Sequence, residues 1–384
     1  MSPFDFSTAT EIVFGSGRVA ELGKRAAALG RRALVVTGSR PERNAATLEG
    51  LREAGLSVTL LAVSGEPTTE LVRQGVETAR SAEVELVIGI GGGSALDAAK
   101  AIAALLPNDG DPLEYLEVVG RGRALERPSL PCVAVPTTAG TGSEVTRNAV
   151  LQAEAERVKV SLRGLSLLPR LALVDPALTL SVPKDVTAAT GLDALTQVME
   201  PFVSKARGPL TDALCVEGMR RAARSLLRAF RDPSDLQARE DLALASLFGG
   251  LALANAKLGA VHGFAGPLGG ALSAPHGALC ARLLPEVMHT NLTVARQLGE
   301  TDVVARYATI ASLLTGLNDA APESGIEWAR ELVELLAIPR LSAHGLDPRD
   351  FPALISRSRA ASSMKGNPVD LDHDQLRAIL ERAL

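Results

Sequence analysis

Four residues in the second half of the chain have the types and spacing of a metal site. Asp193 and Gln197 are four residues apart, so on a helix they project from the same face. His262 and His276 are each followed by glycine, and they are two of only five histidines in the sequence. One carboxylate and two imidazoles supply three donors for Fe²⁺ or Zn²⁺ in a catalytic site that keeps a position open for substrate. A neutral amide is a poorer ligand, so Gln197 leaves the presence of the metal open.

The elements that position these residues follow from the apolar periodicity. In the second half the periodicity predicts helices over 186–203, 209–230, 236–256, 294–314 and 326–336. The first of these helices carries Asp193 and Gln197. In the first half, short apolar runs predict strands at 33–38, 57–63, 84–90, 131–137 and 171–176. Apolar strands separated by helical segments indicate a parallel sheet covered on both faces. We therefore expect two domains, 1–182 and 183–384, with the boundary near Pro183.

A triple glycine follows the third predicted strand and precedes an alanine-rich helix. Gly91, Gly92 and Gly93 tolerate positive φ and let the backbone approach a ligand closely. Ser94 and Asp97 are spaced as a capping pair for the helix that follows. Backbone amides at a helix N-terminus form an anion site, so this loop predicts pyrophosphate binding.

A second glycine-containing loop, PTTAGTGSEVT (136–146), follows the next predicted strand. Hydroxyl groups that can donate to phosphate oxygens or to a carboxamide come from Thr137, Thr138, Thr141 and Ser143. Gly140 and Gly142 allow close approach of the backbone. Together the two loops predict the walls of a nucleotide cleft.

Composition narrows the classes of function. The 384 residues carry a net charge of -4, which gives no electrostatic basis for binding nucleic acid or an anionic membrane. Three cysteines without CxxC spacing favour a reducing compartment and argue against both disulfides and a cysteine zinc site. The N-terminus shows no export signal, and no apolar run is long enough to span a bilayer, so we expect a cytoplasmic protein.

The assembled motifs closely resemble the iron-containing (group III) alcohol dehydrogenase family. The matching segments, in family order and over essentially the whole chain, are IGGGSALDAAK (90–100), PTTAGTGSEVT (136–146), DPALTLSVPK (175–184), GLDAL (191–195), HGFAGPLG (262–269) and PHG (275–277).

The resemblance implies an α/β domain with a Rossmann-like parallel sheet, followed by an all-helical bundle domain, in a dehydroquinate synthase-like architecture. It implies NAD(P)-dependent interconversion of a small alcohol and an aldehyde or ketone in the cleft between the domains, in a homo-oligomer such as a dimer. Carried over by position, the metal ligands would be Asp193, Gln197, His262 and His276. The cofactor contacts would come from Gly91, Gly92, Gly93, Ser94, Asp97, Thr137, Thr138 and Thr141.

The chain departs from the family pattern at two positions. The family usually has histidine at the position of Gln197, and a second histidine at the position of Gly266. With a metal, the cation would act as a Lewis acid on the substrate oxygen, and Glu200 would orient a ligand from the same helix face. Without one, His262 or His276 would donate a proton to the carbonyl, as in the similar maleylacetate reductase branch.

The residues after the strand at 33–38 bear on the choice between NAD and NADP. An acidic residue there would bind the ribose 2′-hydroxyl, but this chain has Gly38, followed by Ser39, Arg40 and Arg43. The arginines can pair with a 2′-phosphate, so NADP(H) is favoured over NAD(H).

Two other classes of function compete with a dehydrogenase. A dehydroquinate-synthase-like lyase needs several cationic residues for its substrate phosphate, whereas 255–285 offers only Lys257 and Arg282. A nucleotide-binding protein with impaired catalysis would tolerate the changes at Gln197 and Gly266. The substrate is not evident, and Phe264, Leu268 and Met364 predict only a partly apolar pocket.

Overall fold

The computed structural model describes residues 4–117, 119–155, 158–272 and 274–384. The described chain divides into two compact units. The sheet unit comprises Ser7–Thr138 and Gly142–Leu180. The helical unit comprises Ser181–Leu384 together with residues 4–6 and Ala139–Thr141.

A parallel sheet forms the centre of the sheet unit. Within the described residues its strands, in chain order, are β1 (Glu11–Phe14), β2 (Arg32–Gly38), β3 (Ser57–Val63), β4 (Leu86–Gly91), β5 (Cys132–Pro136) and β8 (Leu171–Val174). They are arranged as β1-β8-β5-β4-β2-β3, and every neighbouring pair is parallel. A separate antiparallel hairpin is formed by β6 (Asn148–Ala153) and β7 (Val158–Arg163). The sequence predicted β2, β3, β4, β5 and β8 to within two residues at their starts and missed β1 and the hairpin.

Burial on both faces explains why these strands are apolar throughout. Along β2, Leu34 and Val36 belong to one hydrophobic cluster, whereas Ala33 and Val35 belong to another. Alternate side chains of a strand point to opposite faces, so each cluster covers one face of the sheet. The covering helices and shorter helical segments include α1 (Leu22–Ala27), α2 (Ala45–Glu53), α3 (Thr69–Ser81), α4 (Gly93–Leu105) and α5 (Pro112–Tyr115).

The helical unit is built around α6 (Lys184–Val203), whose residues from Thr187 onward are almost all buried. The remaining helices described in this unit are α7 (Pro209–Arg231), α8 (Leu236–Asn255), α9 (Ala260–Ala271), α10 (His276–Leu298), α11 (Thr301–Thr315), α12 (Pro322–Leu335), α13 (Phe351–Ala360) and α14 (His373–Ala383). One hydrophobic cluster runs through these helices. Because α6 is buried on all sides, its polar residues must find partners inside the protein.

The predicted helix over 294–314 is wrong as a single element. Its first residues are the end of α10, and α11 begins only at Thr301. Gly299 separates the two helices with φ 72°, a left-handed conformation that ends a helix readily at glycine. The apolar periodicity continues across this break, which is why periodicity alone joined the two helices.

No single helix in the described ranges has both the length and the apolarity to cross a membrane. The pair α8 and α9, bent by 96°, passes that test together on length and composition alone.

Candidate active site

Asp193, His262 and His276 come together in the helical unit. Asp193 lies in the middle of α6, His262 in the first turn of α9, and His276 at the first residue of α10. The Nε2 atom of His262 lies 3.3 Å from Asp193 Oδ1, and Nε2 of His276 lies 3.9 Å from the same oxygen. The two ring centroids are 5.5 Å apart. Three residues of the predicted metal set therefore present donor atoms to one point.

Gly277 allows α10 to begin against the backbone of α6. A Cβ atom at this position would lie 2.3 Å from the carbonyl oxygen of Ala189, a distance that no side chain tolerates. The close approach brings His276 next to Asp193. The glycine that follows His276 in the sequence therefore has a packing role.

Glu200 fixes the orientation of His262. Its Oε2 atom accepts a hydrogen bond from His262 Nδ1 at 2.6 Å, and its Oε1 atom accepts one from the backbone N–H of Val261 at 2.7 Å. With Nδ1 engaged, Nε2 is the ring nitrogen that faces Asp193. A carboxylate behind a histidine in this way is typical of metal-binding imidazoles. The structure thus gives Glu200 the orienting contact that the sequence predicted.

Cys280 completes the cluster, and the sequence did not indicate it. Its Sγ atom lies 3.6 Å from His276 Nε2 and 3.8 Å from His262 Nε2. The donor atoms of Asp193, His262, His276 and Cys280 all lie within 4.8 Å of one another. The sequence argued against a cysteine zinc site because it lacks a CxxC motif, whereas the structure places the Cys280 sulfur among the donor atoms of the cluster. The available signal was the four-residue spacing from His276 to Cys280, which places both on one helix face.

The groups of the cluster shift one another's pKa values. Burial disfavours the charged forms of Asp193 and Cys280, but the imidazoles outweigh it and lower both pKa values. The charge at Cys280 raises the pKa of His276 to about 9. Burial lowers the pKa of His262, but Cys280 and Asp193 outweigh it and hold that pKa well above its ordinary value. The cluster therefore favours positive charge between a carboxylate and a thiolate, and a divalent cation can supply that charge in place of protons.

The donor set suits such a cation. Asp193 is 2% exposed, and among the described residues its Oδ1 atom has no hydrogen-bond partner. A buried oxygen without a partner costs on the order of 1–3 kcal/mol, which a bound cation would offset. Carboxylate, imidazole and thiolate are all ligands of Zn²⁺ and of other first-row metals.

Gln197, the fourth residue of the predicted metal set, is buried on α6, the helix that carries Asp193, and its amide is bonded to the backbone. Its Nε2 atom donates a 2.7 Å hydrogen bond to the carbonyl oxygen of Gly140. Gly140 and Thr141 belong to the short segment Ala139–Thr141, which is part of the helical unit. The amide nitrogen therefore holds the second glycine loop.

In the sheet unit, the predicted cofactor loops meet at the carboxyl ends of β2, β4 and β5. The backbone N–H of Thr137 donates to the carbonyl oxygen of Gly91 at 2.9 Å. A Cβ atom on Gly92 would lie 3.3 Å from Thr138 Oγ1, and one on Gly91 would lie 3.4 Å from the backbone nitrogen of Gly38. The carboxyl ends of parallel strands are where ligands bind in such sheets.

Two local details of the first loop differ from expectation. Gly91, Gly92 and Gly93 are not among the described glycines with positive φ, and a Cβ atom on Gly91 would instead lie 2.7 Å from that of Ala95. The glycine at position 91 therefore allows α4 to pack closely on the sheet. The predicted capping pair is also wrong, because Gly92 is the N-cap and Ser94 lies inside the first turn.

Asp97 does not cap α4 and instead anchors the second loop. Its Oδ1 atom accepts from the Ser143 hydroxyl at 2.5 Å, and its Oδ2 atom accepts from the backbone N–H of Val150 at 3.0 Å. The fully buried Lys100 lies 3.1 Å from Asp97 Oδ1 and donates to the carbonyl oxygen of Ser143 at 2.9 Å. Asp97 and Ser143 are thus brought together, and their mutual contact ties α4 to the loop.

The region that bears on cofactor choice is exposed. The strand β2 ends at Gly38, and Ser39, Arg40 and Arg43 follow it on the surface. The backbone N–H of Arg43 donates to the carbonyl oxygen of Arg40, which forms a turn at this end of the sheet. Both guanidinium groups are accessible to an anion there.

The expected apolar pocket residues are placed differently. Phe264 and Leu268 are wholly buried in the core of the helical unit, so they do not line a pocket, whereas Met364 is half-buried. A Cβ atom on Gly266 would have no described heavy atom within 4 Å. Position 266 therefore faces open space.

A parallel sheet with a glycine-rich loop at its carboxyl edge, and a helical unit with an Asp–His–His cluster, define a two-unit protein with a nucleotide-type loop and a metal-type site. The sequence model of the iron-containing alcohol dehydrogenase family matches residues 9–176. The sequence model of the C-terminal part of the Fe-containing alcohol dehydrogenase family matches residues 187–384. The chain belongs to the iron-containing alcohol dehydrogenase family.

Individual relatives agree with this assignment. The 1,3-propanediol dehydrogenase of Klebsiella pneumoniae is 36% identical over 394 residues, which cover 99% of this chain and 98% of that protein. A crystal structure of 1,3-propanediol oxidoreductase matches with a TM-score of 0.92 at 35% identity, over 100% of both chains. An alcohol dehydrogenase from Oenococcus oeni matches with a TM-score of 0.92 at 31% identity, also over 100% of both. The predicted fold class and the predicted alcohol–carbonyl oxidoreductase activity are confirmed, and the family implies NAD(P) and a divalent metal.

Proposed function

We propose that this chain is a metal-assisted alcohol dehydrogenase, or aldehyde and ketone reductase, in which Asp193, His262 and His276 hold the cation and Gln197 is an outer partner. The observation that carries the proposal is the buried Oδ1 atom of Asp193, which lacks a hydrogen-bond partner among the described residues and faces two imidazole nitrogens. A cation placed between this oxygen and the two imidazole nitrogens would give the oxygen a partner. This favours the metal-assisted mechanism over the metal-free one of the maleylacetate reductase type.

The residues of the cluster have separate tasks in this proposal. When bound, the cation supplies a Lewis acid that stabilises negative charge on the substrate oxygen during hydride transfer with the nicotinamide. Glu200 keeps Nε2 of His262 directed at Asp193. The side chain of His276 is 36% exposed, against 8% for His262, so the substrate approaches on the His276 side.

We assign dinucleotide binding to 1–182 and the metal and catalytic residues to 183–384. The cofactor contacts proposed are Gly38, Ser39, Arg40, Gly91, Gly92, Gly93, Ser94, Asp97, Thr137, Thr138, Thr141 and Ser143. Asp97 acts through Ser143, since these two side chains bond to each other. Position 38 is a glycine and not an acidic residue, and Arg40 is accessible; both features support NADP(H) over NAD(H).

The substrate class follows from the family and from the space at Gly266. Relatives are named for substrates as different as 1,3-propanediol and methanol, and we propose a small alcohol and its aldehyde or ketone for this chain. The open space at Gly266 leaves room for substituents on the substrate carbon. We also propose a homodimer, and a cytoplasmic location in keeping with three buried, free cysteines.

The test measures metal content and activity together. Purified protein is analysed for iron and zinc, and NADPH oxidation is followed with a panel of aldehydes before chelation, after exhaustive chelation, and after Fe²⁺ or Zn²⁺ is restored. We expect activity to disappear with the metal and to return with it. His276→Ala should lose both properties, whereas His289→Ala, which removes an exposed histidine of the same helix, should keep both.

Activity that survives chelation in protein free of metal would overturn the metal-assisted mechanism. In that case His262 or His276 would remain as the proton donor to the carbonyl. Loss of activity in His289→Ala as well would show that the assay reports folding and not the site.

A further inference from the structure

We propose that the thiolate of Cys280 is the fourth protein donor to the metal, in a mixed site of one carboxylate, two imidazoles and one sulfur. This inference rests on the proposed metal-assisted function. It assigns to Cys280 the ligand role that the sequence pattern gave to Gln197. Because sulfur is a softer donor than an amide, it also changes which metal the site should prefer.

The distances among the four donor atoms carry the proposal. In a tetrahedral zinc site with bonds of about 2.0–2.3 Å, donor atoms lie about 3.3–3.8 Å apart. Here Asp193 Oδ1 lies 3.3 Å from His262 Nε2 and 3.9 Å from His276 Nε2. Cys280 Sγ lies 3.8 Å and 3.6 Å from the same two nitrogens. The other pairs of donor atoms are within 4.8 Å, so all four atoms lie close enough together to bind one cation.

Ordinary core packing does not explain the surroundings of Cys280. All three cysteines are buried within hydrophobic clusters, Cys132 in the sheet unit and Cys215 and Cys280 in the helical unit. Cys280 differs because its sulfur also lies 3.8 Å and 3.6 Å from two ring nitrogens. A neighbouring buried oxygen, Asp193 Oδ1, has no hydrogen-bond partner in the described part of the chain. A sulfur placed among three other ligand atoms is what a metal site requires.

Gln197 makes a buried hydrogen bond of its own. Its Nε2 atom is held by the carbonyl oxygen of Gly140 at 2.7 Å in a buried environment. The side chain is also confined on its other side, since a Cβ atom on Gly249 would lie 3.0 Å from Gln197 Cβ. The amide nitrogen of Gln197 therefore stabilises the segment Ala139–Thr141, and the Cys280 thiolate is the fourth ligand of the proposed metal site.

The proposal has consequences for the metal and for substrate access. A thiolate donor favours Zn²⁺ over Fe²⁺ more strongly than an amide oxygen would. Four protein donors still allow substrate binding if the cation becomes five-coordinate, as catalytic zinc does. The half-exposed His276 marks the side on which that fifth position is open.

The experiment uses the intact protein loaded with Zn²⁺ or Co²⁺ alone. X-ray absorption at the zinc edge should show one sulfur at about 2.3 Å beside nitrogen and oxygen at about 2.0–2.1 Å. The Co²⁺ form should show a near-ultraviolet thiolate-to-cobalt charge-transfer band. Cys280→Ser should abolish both signals and weaken Zn²⁺ binding by at least about tenfold. Gln197→Ala and the control Cys215→Ala should keep both signals.

The outcomes separate this inference from the proposed function. Wild-type protein that binds no metal at all would overturn the metal-assisted function itself. Wild-type protein that binds metal with no sulfur in its coordination shell would overturn the role of Cys280 and leave the function standing. If Cys280→Ser fails to fold, the wild-type spectra alone still decide, since the sulfur signal can come only from a cysteine or a methionine and the charge-transfer band only from a thiolate.

Discussion

The Nδ1 atom of His262 lies 2.6 Å from Oε2 of Glu200, and this contact fixes the orientation of the His262 ring. Glu200 stands seven residues after Asp193, so both carboxylates project from one face of α6. Glu200 bonds to Nδ1 of the His262 ring, and Asp193 lies next to Nε2 on the opposite side of the same ring. The helix that supplies Asp193, a proposed metal ligand, therefore also orients His262 on another helix.

Changing Glu200 should affect metal affinity and catalysis without removing a ligand. Glu200→Ala leaves His262 Nδ1 and the backbone N–H of Val261 without their acceptor, so we expect Zn²⁺ affinity to fall about 10–100-fold and kcat with it. Glu200→Gln keeps one amide oxygen as acceptor and should lose less. Competition with a metal chelator measures the affinity. A fall in stability with unchanged affinity in both variants would assign Glu200 a purely structural role.

Removing the charge of Lys100 should destabilise the second glycine loop. The ammonium group is fully buried beside Asp97 and donates to Ser143 and to the Thr146 hydroxyl at 2.9 Å. Lys100→Met leaves the Asp97 carboxylate without its cation, so we expect the free energy of unfolding to fall by about 3–5 kcal/mol. Urea denaturation measures it. Since the loop is expected to bind cofactor, KM for the nicotinamide cofactor should also rise.

A double variant separates the two effects of Lys100. Asp97→Asn combined with Lys100→Met removes both charges, so it should be less destabilised than the sum of the single changes. Strict additivity would contradict a coupled Lys100–Asp97 pair.

The sequence predicted those parts of the fold that depend on local pattern. The apolar run around Leu34 and Val35 identified a strand buried on both faces, because such burial requires apolar residues at successive positions. Asp193 was singled out by its four-residue spacing from Gln197, and His262 because it is one of two histidines that are each followed by glycine. The helix break at Gly299 was available as a glycine C-cap signal but was hidden by continuing periodicity.

Contacts between distant residues could not be predicted from local pattern. Asp97 was read as a capping residue because Ser94 lies three residues before it, whereas its partners Ser143 and Val150 lie 46 and 53 residues away. Cys280 enters the cluster only because α9 and α10 converge on α6. Each of these contacts depends on tertiary packing, which overrides the local signal.

The arginines after β2 should determine cofactor preference. Arg40→Ala and Arg43→Ala remove exposed guanidinium groups that can pair with a 2′-phosphate, so we expect KM for NADPH to rise about tenfold and KM for NADH to stay unchanged. Steady-state kinetics with both cofactors measure the ratio. Arg52→Ala, an exposed arginine on α2, is the control and should change neither. An NADH preference in the wild type that both variants retain would refute the proposal.

Glu144 should make the stability of the sheet unit depend on pH. This residue is 2% exposed, and burial raises its pKa to about 7, since the nearby Lys100 only partly compensates. The folded state therefore holds the proton more tightly than the unfolded state, whose pKa is near 4.5. Stability should fall as pH rises from about 4.5 to about 7, by on the order of 2–3 kcal/mol, and stay low above that.

Glu144→Gln cannot titrate, so it should be more stable than wild type at about pH 8, with an advantage that disappears toward about pH 5. Urea unfolding across this range measures the difference, and Glu42→Gln, which removes an exposed carboxylate, should give a curve parallel to wild type. A Glu144→Gln advantage that is the same at every pH would show that packing, and not the proton, is responsible.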